Sequence, residues 1–143
     1  MIEVVNRQRR RQMDSKRWIA IAAKALKAIG RENANATIAF VSDRSMRELN
    51  RSFRGLNKTT DVLSFPAGAN EFASTDEVNL GDIAISVQRA ELQARESGLS
   101  FDDEIAQLIL HGLLHLCGYD HETDDGEMNR LEVRLRRRLG LEP

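Results

Sequence analysis

The sequence predicts an α+β domain with about five helices packed on a small sheet of about four strands. Apolar residues recur at helical spacing in several segments, and short apolar runs typical of strands lie between them. The two kinds of segment do not alternate strictly along the chain, which disfavours a regular parallel α/β fold. The 143 residues, 41% of them hydrophobic, fit one domain over 1–143 with a real core.

Four elements are predicted in the first half of the chain. Residues 2–6 and 36–41 are short, apolar and typical of strands. Residues 15–29 and 43–54 are predicted helices because each has an apolar stripe at helical spacing. The first stripe consists of Trp18, Ala22, Leu26 and Ile29, and the second of Met46, Leu49 and Phe53.

The second half begins with two predicted strands, 61–65 and 80–85, joined by a loop over 67–77 that is rich in small and acidic residues. Three predicted helices follow: Ser86 caps one that runs to Gly98, a second begins at Ser100 and ends at Gly118, and the last covers about 124–139. The last helix turns four apolar residues inward and four arginines outward, which are Met128, Leu131, Leu135 and Leu139, and Arg130, Arg134, Arg137 and Arg138.

The helix after Ser100 is apolar nearly all round, which is typical of a buried helix. Its start has the pattern S-F-D-D of a capping box, and we expect Glu104 to act there as a partner of the helix dipole. The same helix carries His111 and His115, so a buried metal-binding helix is predicted at the centre of the domain.

Charge is distributed unevenly along the chain. The net charge of −1 divides into +9 over residues 1–58, −13 over 59–129 and +3 over 130–143. Such asymmetry fits a polyanionic partner on one surface and a cation near another. The same asymmetry fits equally well a folded protein in which the basic and acidic segments neutralise each other.

The single cysteine, Cys117, excludes a disulfide framework and a cysteine-based zinc finger within one chain. No apolar run approaches the length of about 20 residues that spans a bilayer. The N-terminal residues have no pattern of a secretory signal. The cytoplasm is therefore the expected location, and no membrane partner is expected.

The three histidines of the chain form one cluster in the string HGLLHLCGYDH, as His111, His115 and His121. The first two are four positions apart on one helix, so their rings project from the same side. Gly118 can end the helix in a left-handed turn that brings His121 back as a third ligand. Three imidazoles favour one Zn²⁺ per chain, with a position left for water.

The residues around the cluster leave alternatives open. Cys117 lies about 200° around the helix from His115, so it is expected to pack rather than to bind metal. Asp120 and Glu122 are both candidates to support a ligand by hydrogen bonding. The spacing also matches metzincin proteases, but Gly112 stands where those enzymes carry their general base, which disfavours a peptidase.

The histidine string closely resembles the H-G-x-L-H-L-x-G-Y-D-H signature of the YbeY family of bacterial metal-dependent endoribonucleases. LNRSFRGLNKTTDVLSFP (49–66) is similar to the family's arginine-bearing segment, and LGDIAIS (80–86) to its central strand. The likeness covers about residues 36–139. It implies a zinc-type metal held by His111, His115 and His121, with Arg54 as the catalytic residue.

The resemblance also implies a function in RNA metabolism. The family cleaves single-stranded RNA, matures the 3′ end of 16S rRNA and acts in ribosome quality control. Single-stranded RNA and the small ribosomal subunit are therefore the expected partners, and DNA is not. Basic residues of two segments could follow an RNA backbone, namely Arg7, Arg9, Arg10 and Arg11, and Arg44, Arg47, Arg51, Arg54 and Lys58.

Two other functions remain open at this point. One is a zinc metallopeptidase that uses the same three histidines. The other is a non-enzymatic ribosome-assembly factor whose metal is structural, in which case histidine substitutions would unfold the protein.

Overall fold

The computed structural model describes residues 1–67, 78–120 and 124–141. Within them the strands are β1 (Ile2–Asn6), β2 (Ala34–Val41), β3 (Val62–Pro66) and β4 (Val78–Ser86). The helices are α1 (Ser15–Ile29), α2 (Asp43–Arg54), α3 (Val87–Ser97), α4 (Phe101–Leu116) and α5 (Glu127–Arg138). The predicted α+β class is confirmed, with five helices on a four-stranded sheet in these ranges.

The sheet is mixed and has the strand order β1-β2-β4-β3. β1 and β4 both pair with β2 in parallel, whereas β3 pairs antiparallel with β4. β2 and β4 are thus the central strands. Each is longer than the sequence predicted because Ala34 and Asn35 pair with Val78 and Asn79, which extends the β2–β4 ladder. Residues 68–77 of the predicted loop lie outside the described residues.

The main hydrophobic core lies between one face of the sheet and the helices α1, α3, α4 and α5. Ile38 and Phe40 of β2 and Ile83 and Ile85 of β4 point into this core and are fully buried. Trp18 of α1 packs edge-on against Phe40, with ring centroids 6.4 Å apart. The alternation of side chains along each strand therefore commits one face of the sheet to these helices.

The opposite face of the sheet holds a smaller core beneath α2, formed by Val41, Met46, Leu63 and Ala84. Leu49 packs against this cluster, but Phe53, predicted on the same apolar stripe, is 67% exposed. The last turn of α2 extends beyond the small core, and the Phe53 ring packs there against Phe65 of the edge strand β3.

Helix boundaries follow the capping residues. The carboxylate of Asp124 accepts hydrogen bonds from the backbone N–H groups of Gly126 (2.8 Å) and Met128 (2.9 Å), so α5 begins at Glu127 rather than at 124. Those hydrogen bonds, with burial acting against them, hold the pKa of Asp124 below its usual value. Among the described residues, no helix combines the length and apolar character needed to cross a bilayer.

Candidate active site

The helix α4 is the support of the site. Ser100 caps it, because its side chain accepts a hydrogen bond from Asp103 N–H at 3.0 Å as the S-F-D-D pattern predicted. Ten of its residues are buried, including Gly112. A Cβ atom on Gly112 would lie 2.9 Å from the side chain of Ile83, so glycine lets α4 approach β4 closely.

His111 and His115 project together from α4, as their spacing predicted. Their ring centroids are 4.7 Å apart and the ring planes are inclined by 77°. The two Nε2 atoms lie only 3.2 Å from each other. Both side chains are partly exposed.

The other nitrogen of the His111 ring is held by Glu132 of α5. Nδ1 of His111 lies 3.0 Å from Oε1 of Glu132, and the same oxygen lies 3.4 Å from a guanidinium nitrogen of Arg136. Burial raises the pKa of Glu132, but the hydrogen bond to His111 and the charge of Arg136 outweigh it, so the pKa lies below its usual value. Glu132 is therefore ionised at neutral pH and orients the His111 ring.

Sequence reasoning missed Glu132, proposing Asp120 and Glu122 for this supporting position. One signal in the sequence could have found it: Glu132 lies on the predicted inward face of α5, between Met128 and Leu135, where an acid is unusual. In the structure Glu132 is only 6% exposed. Asp120 lies near the histidines on another wall of the site, and Glu122 lies outside the described residues.

A cavity of about 450 Å³ opens in front of the two histidines. Arg54, at the C-terminal end of α2, lies on its wall, so the predicted arginine and two of the predicted histidines meet in one cavity. Its other lining residues are Asp61, Val62, Leu63, Ser64, Pro66, Gly118, Tyr119 and Asp120. Asp61 and Ser64 were not singled out from the sequence.

β3 is joined to α4 by a side-chain hydrogen bond, and its first residue is bonded to the side chain that precedes it. Ser64 donates a hydrogen bond to the backbone carbonyl of Gly112 at 3.2 Å. Asp61 accepts a hydrogen bond from the N–H of Val62 at 2.7 Å. These bonds give the cavity wall next to the histidines a defined shape.

The predicted left-handed turn after α4 is present. Gly118 has φ of +98°, and the N–H of Tyr119 donates to Leu114 O at 3.1 Å, which closes the helix end. The turn directs Tyr119 and Asp120 back to the cavity wall. His121, the predicted third ligand, lies outside the described residues, and the residues that are described contain no group of three or more potential metal ligands.

Cys117 and Glu104 lie close to the site in sequence but not on its wall. Cys117 is half-buried against the hydrophobic core, and burial raises the pKa of its thiol despite the opposing effect of Arg31. Glu104 occupies the first turn of α4 as expected, yet it is only 7% exposed. Burial and the charge of Asp61 raise the pKa of Glu104, which weakens its value as a partner of the helix dipole.

The basic residues predicted to follow RNA fall into different environments. Arg10 and Arg11 form ion pairs with Glu91 at 2.9 and 3.1 Å, and the Arg11 guanidinium lies 3.8 Å from the centre of the Phe101 ring. These two residues fasten the segment after β1 to α3 and α4. Arg54, by contrast, is exposed on the cavity wall.

Comparison with known proteins identifies the family of this chain. Residues 3–140 match the model of the family described as Endoribonuclease YbeY. The chain belongs to the YbeY family. Endoribonuclease YbeY of Campylobacter fetus subsp. fetus is 48% identical over 108 residues, which is 76% of this chain and 77% of that protein.

Other relatives match over almost the whole length. Endoribonuclease YbeY of Geobacter sulfurreducens is 33% identical over 98% of this chain and 94% of its own. The solution structure of TM1509 from Thermotoga maritima superposes with a TM-score of 0.65 at 28% identity, covering 97% of this chain and 89% of that one. The YbeY family assignment therefore includes the strands and helices on both sides of the histidine string.

Proposed function

We propose that this chain is a metal-dependent endoribonuclease that cleaves single-stranded RNA in the maturation of the 3′ end of 16S rRNA and in ribosome quality control. Activity on RNA is supported by the family to which the chain belongs. The observation that carries the proposal is the pair of imidazoles, held from behind by Glu132, in one cavity with Arg54.

The histidine pair fits a zinc ion. Two nitrogens bound tetrahedrally at about 2.0–2.1 Å from zinc are about 3.3 Å apart, and the Nε2 atoms of His111 and His115 are 3.2 Å apart. The Glu132 carboxylate accepts a hydrogen bond from Nδ1–H of His111, which leaves the Nε2 lone pair for the metal. His121 is proposed as the third ligand on the basis of the family signature.

Arg54 is proposed to bind the scissile phosphate. Its guanidinium can hold two phosphate oxygens at once and stabilise the negative charge that develops during cleavage. When bound, a zinc ion held by the histidines would supply further positive charge to the same phosphate.

The proposal places the protein on the small ribosomal subunit in the cytoplasm. The exposed arginines of α2, Arg44, Arg47 and Arg51, are available to follow an RNA backbone toward Arg54.

A metallopeptidase is disfavoured by packing as well as by sequence. The proteases with this histidine spacing need a glutamate directly after the first histidine. Here Gly112 has its Cα against Ile83, and even a Cβ atom would lie 2.9 Å from that side chain. There is no space for the catalytic glutamate of a peptidase at this position.

The test compares Arg54→Ala and His111→Ala with wild type on single-stranded RNA and on casein. Arg95→Ala is the matched control, because Arg95 is an exposed arginine in the last turn of a different helix, α3. We expect Arg54→Ala to stay folded and to keep bound metal while RNA cleavage falls at least about 100-fold. Casein should remain uncut by every protein.

Two results would overturn the proposal. Wild type that is free of contaminating nuclease and cleaves no RNA, with or without ribosomal subunits, would exclude the activity. Histidine variants that unfold together with loss of metal, beside a wild type without activity, would favour the assembly factor with a structural metal.

A further inference from the structure

The most exposed aromatic side chain in the described part of the chain is Phe53, in the last turn of α2. Its ring is 67% exposed, whereas Trp18 and Phe40 are buried in the main core. Phe53 directly precedes Arg54 in the sequence. The side chains of consecutive helical residues point in directions about 100° apart. Arg54 can therefore face the cavity while Phe53 lies at its rim.

The ring of Phe53 is held in position by a second aromatic ring. Its centroid lies 4.6 Å from that of Phe65, with the planes inclined by 59°. Phe65 belongs to β3 and packs against the small core beneath α2. The support restricts the orientation of Phe53 and leaves much of its surface open to solvent.

Phe53 lines a groove that adjoins the histidine cavity at Pro66. Together with Phe65 and Pro66 it lines a groove of about 950 Å³ on the open face of the sheet. Pro66 also lines the histidine cavity, next to Arg54. A chain molecule that passes from the histidine cavity over Pro66 therefore enters the groove that Phe53 lines.

The charges on either side favour a nucleotide on this rim over one deeper in the groove. Arg51, Arg54 and Lys58 give the end of α2 and its following turn a positive charge. The groove on the open face of the sheet carries exposed Glu3 and Asp82 together with exposed Arg7, so it has no comparable excess of positive charge. Phosphates are thus attracted to the Arg54 side, with a base directed to the ring.

We infer that Phe53, braced by Phe65, is a stacking platform for one base of a single-stranded RNA whose adjacent phosphate lies at Arg54. The inference rests on the proposed function and assigns a binding residue to it. Every base has an aromatic face, so such a platform holds RNA with little preference for sequence. The second aromatic ring matters because it keeps the platform rigid before the RNA arrives.

The test is a double-mutant cycle on RNA binding. The probe is a short 2′-O-methyl single strand, which resists cleavage, in an intact form and in forms that lack one base at a defined position. Binding to wild type, Phe53→Ala, Phe53→Leu and Phe53→Trp is measured by fluorescence anisotropy with the metal-loaded protein. Leu92→Ala is the control, since Leu92 is an exposed apolar residue of α3, away from both concave surfaces.

We expect Phe53→Ala and Phe53→Leu to weaken binding of the intact strand about ten-fold, and Phe53→Trp to retain wild-type affinity. Removing the base that stacks should weaken binding to wild type equally and have no further effect in Phe53→Ala. A 2-aminopurine at that position should lose fluorescence on binding to wild type but not to Phe53→Ala. Leu92→Ala should bind as wild type does.

The inference is overturned if Phe53→Ala binds the intact strand as tightly as wild type while wild type cleaves RNA. The exposed ring would then fit contact with a protein instead. It is also overturned if Phe53→Leu binds as well as Phe53→Trp, because an apolar contact would then suffice. Failure of wild type to cleave or bind any RNA would instead contradict the proposed function itself.

Discussion

Oε1 of Glu132 lies 3.0 Å from Nδ1 of His111, and this contact joins α5 to α4 behind the histidine pair. A carboxylate in this position fixes both the rotation of the imidazole and the nitrogen that carries its proton. The first prediction follows directly. Glu132→Ala should lower the affinity for zinc about 10- to 100-fold, as measured by competition with a chromogenic chelator.

The control for this prediction is Glu127→Ala, which removes an exposed acid from the first turn of the same helix. Circular dichroism should show that α5 is retained in both variants. Zinc affinity unchanged in folded Glu132→Ala would mean that the contact does not orient a metal ligand.

Packing at Gly112 gives the second prediction. In an open helix, replacing glycine by alanine stabilises by up to about 1 kcal/mol. Here the new methyl group would press on Ile83, which is fully buried and has no space to move. Gly112→Ala should therefore lower the free energy of unfolding by about 1–3 kcal/mol in urea titrations.

The neighbour that causes this loss can be tested with Ile83→Val. The shorter side chain removes Cδ1, one of the two atoms 2.9 Å from the new methyl group. The double variant should be more stable than the sum of the two single effects predicts. Additive effects would show that Ile83 is not the cause of the loss.

The site residues that could be predicted from the sequence are those that lie close to each other along the chain. His111, His115 and the turn at Gly118 are set by helical spacing and one glycine, and the structure has them as predicted. Glu132 and Ser64 reach the site across 21 and 48 positions of the chain. Contacts at such separations depend on how helices and strands pack. A local pattern can mark Glu132 as an acid on the inward face of a helix, but it does not identify the partner.

Arg54 and Phe53 are two further residues whose positions could not be predicted from the sequence alone. An arginine at the end of a helix is common, and only the family resemblance distinguished Arg54 from its neighbours. Phe53 has the spacing of a core residue, yet it is exposed because α2 extends past the small core. Periodicity predicts which face a residue is on, but not where along a helix its packing partner ends.

Asn50 supplies the third prediction, because it fixes the turn that follows Arg54. It is fully buried, and its Nδ2 donates a hydrogen bond to Lys58 O at 2.8 Å. Asn50→Ala should lower the free energy of unfolding by about 1–3 kcal/mol. It should also speed hydrogen exchange at Gly55 and Leu56, whose N–H groups bond to Arg51 O and Asn50 O.

The matched control is Asn57→Ala, an exposed asparagine in the same turn. It should change neither stability nor exchange. Equal exchange at Gly55 and Leu56 in Asn50→Ala and wild type would show that the turn holds its shape without the Asn50 side chain.

The last prediction concerns pH and the ion pairs of Glu91 with Arg10 and Arg11. Burial raises the pKa of Glu91, but the hydrogen bonds and charges of the two arginines outweigh it, so the folded pKa lies below the ordinary value of 4.5. A carboxyl with a depressed pKa stabilises the fold above its unfolded pKa. That contribution is lost as the pH falls through the folded value.

Glu91→Gln should therefore be less stable than wild type at pH 7, and the difference should shrink as the pH falls below about 4. We expect a loss of only about 0.5–1 kcal/mol at pH 7, because the side chains of Arg10 and Arg11 are 52% and 44% exposed and solvent screens them. Urea titrations at pH 7 and pH 3 measure the difference in the free energy of unfolding. Glu96→Gln is the control, since Glu96 is an exposed acid of the same helix. A difference that stays constant from pH 7 to pH 3 would show that Glu91 acts through packing rather than through its charge.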